Sequence, residues 1–143
     1  MAQGSFEFLD HTADVAVRLV APTLKDLFKI AVSATLAIYV EEGDQAAVGV
    51  TQSVPVKLSA EDEESLLVDF LHEIVYLFDA KQFLAVKLEQ AQVQGATLTG
   101  TLRGSHVDVE HFPLRTEIKA ATQHDLTIHR VEGGFQADVV FDL

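Results

Sequence analysis

The strongest periodic signal in the sequence is a run of apolar residues that recur with the spacing of an α-helix. The run extends from Leu66 to Phe78, and four acidic residues (61–64, EDEE) precede it. Apolar residues three and four positions apart share one face of a helix, and acidic side chains interact favourably with its positive N-terminal end. We therefore predict an amphipathic helix that ends near Asp79 and needs a partner surface for its apolar face.

A second helix is predicted to begin after Pro22 and to contain apolar residues up to Ile38. Thr23 with Asp26 three positions later forms a loose capping box at its start. Gly43 and Asp44 are expected to end this second helix.

Strand patterns surround the two predicted helices. Period-two alternation is found near residues 6–8, 15–19, 54–58, 86–88, 97–99, 118–122, 126–128 and 135–141. Pro55 assigns the third of these to a sheet edge or a strand start, because proline cannot donate to a strand ladder. Gly133 and Gly134 indicate a hairpin turn before the last strand. The pattern predicts an α+β fold, a single domain over residues 1–143, with two α-helices packed on one face of a largely antiparallel β-sheet.

The composition excludes several kinds of site. The chain has no cysteine, which rules out disulfide bonds, thiolate metal ligands and cysteine nucleophiles. No apolar run approaches the length needed to cross a bilayer, and the residues after Met1 do not resemble a secretion signal. We therefore expect a cytoplasmic protein that does not contact membranes.

The charge of the chain argues against direct binding of nucleic acid. The net charge is −12, from 22 acidic and 10 basic residues. Affinity for nucleic acid comes mostly from neutralisation of phosphates by lysine and arginine. Such an acidic surface instead favours a cation or a basic protein partner. The competing interpretation is that the charge only maintains solubility.

Familiar catalytic motifs are absent from the sequence. It has no phosphate-binding GxxxxGK[ST] loop, no GxGxxG turn, no G-x-S-x-G elbow and no HExxH zinc pair. His72 precedes Glu73 on the main predicted helix, but no second histidine follows at the required spacing. We predict that His72 lies at the surface or at its boundary.

The first polar cluster, residues 10–14 (DHTAD), lies between two apolar strands. In a tight loop Asp10 and Asp14 can converge, with His11 between them, and such oxygen ligands suit calcium, magnesium or manganese. The alternative is a polar turn in which aspartate and threonine cap backbone amides.

The second cluster is at the C-terminus. The apolar residues before Asp142 predict a strand, which would hold its carboxylate near the α-carboxylate of Leu143. These two groups repel each other unless a cation or solvent screens them.

The third cluster contains Lys119, which lies in an otherwise apolar strand and could contact a phosphate or a carboxylate of a partner. The alternative is a lysine that faces solvent from a half-exposed sheet.

Taken together and in this order, the three clusters resemble the archease family. The resemblance covers nearly the whole chain and is carried by residues 6–15 (FEFLDHTADV), 64–71 (ESLLVDFL), 76–78 (YLF), 116–120 (TEIKA) and 140–143 (VFDL). No single segment would be specific, but the combination is. Two segments depart from the family pattern, which usually ends in Asp-Ile and often continues after TEIKA with Val-Thr-Tyr-His. The carboxylates are retained here, so the departures concern local packing more than the site.

The resemblance implies a non-enzymatic, chaperone-like cofactor of an RNA ligase. This ligase splices tRNA by joining 3′-phosphate or cyclic-phosphate ends to 5′-hydroxyl ends. The family promotes transfer of GMP from GTP onto the ligase histidine and permits multiple turnover. The protein would bind tRNA only indirectly, through the ligase.

The resemblance also implies a site for a divalent cation, with calcium expected and manganese or magnesium as alternatives. Asp14, Asp142 and the terminal carboxylate of Leu143 would be its ligands, and Lys119 would be a functional lysine. Asp10 and His11 share the opening motif, with roles that the resemblance does not separate. No residue is predicted to be catalytic. Two rival functions are a metal-dependent phosphohydrolase and a general protein chaperone.

Overall fold

The structure, a computed structural model, describes residues 4–9, 14–123 and 126–143. In chain order its elements are β1 (Ser5–Leu9), β2 (Val15–Ala21), α1 (Leu24–Tyr39), a short 3₁₀ helix (Glu42–Ala47), β3 (Gln52–Ser59), α2 (Glu63–Lys81), β4 (Phe83–Gln94), β5 (Thr97–His106), β6 (Ala120–Thr122), β7 (Ile128–Val131) and β8 (Gly134–Asp142). None of the helices in these ranges is both long and apolar enough to cross a membrane.

The described strands form two sheets. One has the order β1-β2-β8-β6, with β7 also paired to β8, and the other has the order β3-β5-β4. Each of these pairings is antiparallel. The α+β class with antiparallel strands is confirmed, but the strands are divided between two sheets, where a single sheet was predicted.

Both helices lie between the two sheets, because each contacts strands of both. This corrects the prediction that they pack on one face of a sheet. The reason lies in α1, whose buried side chains surround most of the helix: Leu27, Phe28, Ala31, Val32, Ala34, Thr35, Leu36, Ala37 and Ile38. A helix that is apolar on nearly all sides must be covered on more than one side.

The ends of the helices follow local rules. Thr23 caps α1 by accepting a hydrogen bond from the backbone N–H of Asp26 at 3.1 Å, as predicted. Asp62 caps α2 by accepting from Ser65 N–H at 2.7 Å, and this bond lowers the pKa of Asp62. Helix α1 ends at Tyr39, four residues before the predicted end at Gly43, which instead lies in the 3₁₀ helix.

Other local predictions also hold. Pro55 lies in β3, an edge strand of the three-stranded sheet. The turn at Gly133 joins β7 to β8, and both glycines there have positive φ values. His72 is exposed, and its Nε2 lies 2.8 Å from the carbonyl oxygen of Ala121. That contact links α2 to β6, so His72 has a structural partner.

The close approach of β4 and β5 requires a glycine at position 104, and we expect Gly104→Ala to destabilise the fold. A Cβ atom there would lie 1.9 Å from the carbonyl oxygen of Leu84, so the strands would have to separate. Overpacking of this kind costs about 1–3 kcal/mol or more. Gly43→Ala is the control, because a Cβ at Gly43 would meet nothing within 4 Å. Urea unfolding measures the free energy of unfolding of both variants. Equal losses for Gly104→Ala and Gly43→Ala would show that the close approach of the strands is unimportant.

Candidate functional site

Strand β8 brings the two predicted metal-binding segments to one end of the five-stranded sheet. The residues Ala137, Val139 and Phe141 are at most 1% exposed, so they anchor β8 in the core. Strand β8 pairs with β2, and in that pairing Phe141 lies opposite Val15. One position beyond that pair come Asp14 in one segment and Asp142 in the other. Both aspartates are half-buried.

The apolar cleft lies at this end of the sheet and has a volume of about 420 Å³. Asp14 and Leu143 line it together, which places residues far apart in the sequence at one cavity. Its other lining residues are Phe8, Leu9, Val15, Ile38, Arg115 and Thr116. The cleft therefore has an apolar wall with charged groups beside it.

The polar cleft lies next to the apolar cleft and shares Thr116 and Leu143 with it. Its other lining residues are Asp79, Glu117, Ile118 and Lys119. Leu143 thus separates a mainly apolar cavity from one that contains two carboxylates and an ammonium group.

Lys119 is held next to the C-terminus through its backbone. Its N–H donates to the carbonyl oxygen of Asp142 at 2.8 Å, one residue before β6 begins. The preceding Ile118 is 2% exposed and fixes the segment in the core, while Lys119 itself is exposed. Within the described ranges its ammonium group makes no ion pair. It is therefore available to a phosphate or a carboxylate.

The segment before Lys119 is fastened to the end of α1. The N–H of Arg115 donates to the Tyr39 carbonyl oxygen at 2.7 Å, and its guanidinium donates to the Ala37 carbonyl oxygen at 3.3 Å. The Tyr39 ring packs against Phe78, with 4.6 Å between centroids. Burial, with smaller effects from Asp79 and Glu117, raises the pKa of Tyr39, so its buried hydroxyl stays neutral.

The side chains alone do not define a metal site. In the part of the chain that the structure describes, no three His, Cys, Asp or Glu side chains lie close enough together to hold an ion. The predicted set of Asp14, Asp142 and the α-carboxylate of Leu143 needs the terminal group as its third member. The structure brings Asp14 and Leu143 to one cleft, whereas Asp142 lines neither cleft and is linked to the site through its backbone. Asp10 and His11 lie outside the described residues.

The aromatic and charged residues that border the two clefts and were not among the predicted site residues are Phe8, Asp79, Arg115 and Glu117. Arg115 and Glu117 lie within four residues of Lys119, so their sequence neighbourhood was a usable signal. The alternating pattern predicts a strand near residues 6–8, but nothing in it indicates that Phe8 remains half-exposed.

These features define a small, acidic α+β protein with an apolar cleft and a polar cleft side by side at one end of a sheet. Residues 6–143 match the model of the family described as "Archease protein family (MTH1598/TM1083)". The chain is 34% identical over 140 residues to protein archease of Archaeoglobus fulgidus, covering 96% of this chain and 98% of that protein. It is 31% identical over 142 residues to protein archease of Methanosarcina barkeri, covering 96% and 95% of the two chains. The chain belongs to the archease family.

Two solved structures share the fold. The solution structure of Methanobacterium thermoautotrophicum protein 1598 has a TM-score of 0.80 and 29% identity, with 96% of this chain and 98% of that chain covered. The Thermotoga maritima crystal structure of an archease, described as a possible chaperone, has a TM-score of 0.64 and 21% identity, with 94% of each chain covered. At that identity the second likeness concerns the fold alone.

Proposed function

We propose that this protein is a non-enzymatic activator of an RNA ligase that joins 3′-phosphate or cyclic-phosphate ends to 5′-hydroxyl ends. It would act by promoting transfer of GMP from GTP onto the active-site histidine of the ligase and by permitting multiple turnover. The single observation that supports this best is that Asp14, Leu143 and Lys119 border two adjoining clefts at one end of the sheet.

In this proposal Asp14, Asp142 and the terminal carboxylate of Leu143 hold a divalent cation. Three carboxylates are hard oxygen donors, which calcium, manganese and magnesium all accept. Without a cation the three negative charges repel one another, so an ion would stabilise this end of the sheet. Calcium is the expected ion because the family resemblance implies it; three carboxylates do not themselves separate it from manganese or magnesium.

The charge of the protein supports a protein partner that itself binds RNA. A net charge of −12 complements a ligase surface that binds phosphates and would raise the rate of association. The acidic surface would repel free RNA, so tRNA would be reached only through the ligase. Lys119, which lacks an ion pair among the described residues, would contact a phosphate of GTP or a carboxylate of the ligase.

The test is guanylylation of the ligase by GTP with and without this protein, in a series of calcium, manganese and magnesium. We expect faster guanylylation and more than one ligation per ligase molecule only when the protein is present. Release of phosphate by the protein alone would favour a metal-dependent phosphohydrolase instead. Suppression of aggregation of unrelated proteins, without an effect on the ligase, would favour a general chaperone.

We expect Lys119→Gln to reduce the stimulation of guanylylation by about ten- to a hundred-fold. A hydrogen bond to a charged group contributes about 1.5–3 kcal/mol, and glutamine removes the charge with little change in length. The control is Lys57→Gln, since Lys57 is exposed on β3 of the other sheet. Equal stimulation by both variants, measured at matched concentrations, would show that Lys119 only faces solvent.

A further inference from the structure

Two of the most exposed large apolar side chains border the same cavity. Phe8 is 48% exposed and Leu143 is 38% exposed, and both line the apolar cleft. The other exposed large apolar residues of the described ranges, Tyr76, Val109 and Val131, do not line this cleft. Scattered exposed apolar residues are ordinary, but a pair at one cavity indicates a contact surface.

The exposure of Phe8 follows from its position on an edge strand. In β1, Phe6 pairs with Leu19 and Phe8 pairs with Val17, both of which are buried in the core. Opposite residues of paired strands point to the same face, so Phe8 points to the same side of the sheet as the core. The Phe6 and Phe8 rings meet edge to face at 5.8 Å. Phe8 therefore extends the core face beyond the part that the helices cover.

The apolar cleft is ready to bind without much rearrangement. Phe8 is fixed by the pairing of β1 with β2, and the buried Ile38 belongs to α1. Arg115 is held by its bonds to the carbonyl oxygens of Ala37 and Tyr39. The volume of about 420 Å³ falls in the range of about 300–1,000 Å³ that is usual for binding pockets. Preorganised apolar pockets lose little conformational entropy on binding.

The charges beside the cleft specify what it can accept. Asp14 and Arg115 line the cleft with opposite charges, and Leu143, whose α-carboxylate the proposed function makes a metal ligand, lines it too. With a divalent cation on the three carboxylates and Arg115 included, the local charges sum to zero, so charge complementarity to a partner comes from the protein as a whole. A segment with a basic side chain beside an apolar one would complement both the apolar wall of the cleft and the net charge of −12.

We propose that the apolar cleft binds a segment of the ligase in which an apolar side chain is flanked by a lysine or arginine. The inference rests on the proposed function and adds an anchor that is separate from the metal ligands. The apolar side chain packs against Phe8, Ile38 and Leu143. The flanking basic side chain lies on the Asp14 side of the cleft. Binding energy at such interfaces concentrates on a few buried apolar or aromatic anchors with charged groups at the rim.

The test is the affinity of the purified ligase for the wild-type protein and for Phe8→Ala, by interferometry in calcium. We expect Phe8→Ala to weaken binding by about thirty-fold or more, the loss typical of an interface anchor. Calcium affinity, measured by calorimetry on the protein alone, should be unchanged. Tyr76→Ala is the matched control, because Tyr76 is 55% exposed on α2 and should not alter the affinity.

A second measurement tests the proposal even if Phe8→Ala does not fold. Replacing Phe8 by photo-reactive p-benzoylphenylalanine keeps an aromatic side chain and should cross-link to a ligase segment that contains an apolar residue next to a basic one. Unchanged affinity of Phe8→Ala, or cross-linking only to a second copy of this chain, would overturn the proposal. If the wild-type protein neither binds the ligase nor stimulates it, the proposed function fails too. If Phe8→Ala binds the ligase normally and still stimulates guanylylation, the cleft proposal fails while the proposed function stands.

Discussion

Asp14→Asn is expected to abolish binding of the divalent cation and, with it, the stimulation of ligase guanylylation. Asparagine keeps the shape and one oxygen ligand but removes one of three negative charges. At about 4 Å and an effective dielectric constant of 20, two unit charges interact by about 4 kcal/mol. A loss of at least about 100-fold in calcium affinity is therefore expected, measured by calorimetry alongside the guanylylation assay.

The fold should tolerate Asp14→Asn, because Asp14 lies just before β2 and makes no ion pair or side-chain hydrogen bond within the described ranges. Relief of carboxylate repulsion should even raise the melting temperature slightly without metal. The control is Asp138→Asn. Asp138 lies on β8, as Asp142 does, and the substitution removes its ion pair with Arg18, in which the two atoms are 2.9 Å apart. It should retain calcium affinity. Equal affinities of the two variants for calcium would contradict the assignment of Asp14.

Phe70→Ala is expected to lower the free energy of unfolding by about 3–5 kcal/mol, the usual cost of deleting a large buried ring. Phe70 is 0% exposed on α2 and packs edge to face against Phe28 of α1, with centroids 5.5 Å apart. The cavity would open between the two helices, where sheets on both sides limit collapse. Urea unfolding followed by circular dichroism measures the loss.

Tyr76→Ala serves as the control for this loss too, since Tyr76 is exposed on the same helix. A surface substitution away from special features changes stability by at most about 0.5 kcal/mol. If Phe70→Ala lowers the free energy of unfolding no more than Tyr76→Ala does, the two helices are not packed together as described.

Much of the local structure could be predicted because its signals lie within a few residues. The apolar spacing of α2, the Thr23 cap, the edge position of Pro55 and the turn at Gly133 each depend on near neighbours in the sequence. The end of α1 was placed four residues too late, since the 3₁₀ helix that contains Gly43 continues the helical character of the chain.

The arrangement of layers could not be predicted from local patterns. Strand β2 pairs with β8 across more than a hundred residues of sequence, and alternation does not reveal which strands pair. The division into two sheets follows from α1, whose buried residues surround most of the helix and require a second cover. Hydrophobic residues on nearly all sides of α1 were the available signal, and they were interpreted as a one-sided stripe.

The proximity of Asp14 to Leu143 was foreseen, whereas their role as metal ligands stays a prediction. The proximity of Asp14 to the C-terminus was implied by the family resemblance, while spacing alone left a polar turn as an alternative. The structure places both residues at the apolar cleft. The exposure of Phe8 and the position of Arg115 depend on how β1 and the end of α1 meet, which is a tertiary property.

The central claim is that Asp14, Asp142 and the α-carboxylate of Leu143 share one divalent cation. The most direct measurement is anomalous diffraction from a crystal of the wild-type protein soaked in manganese. We predict one peak contacted by carboxylate oxygens of Asp14 and Asp142 and by the α-carboxylate of Leu143. A peak that lies elsewhere, or none at this end of the sheet, would contradict the claim.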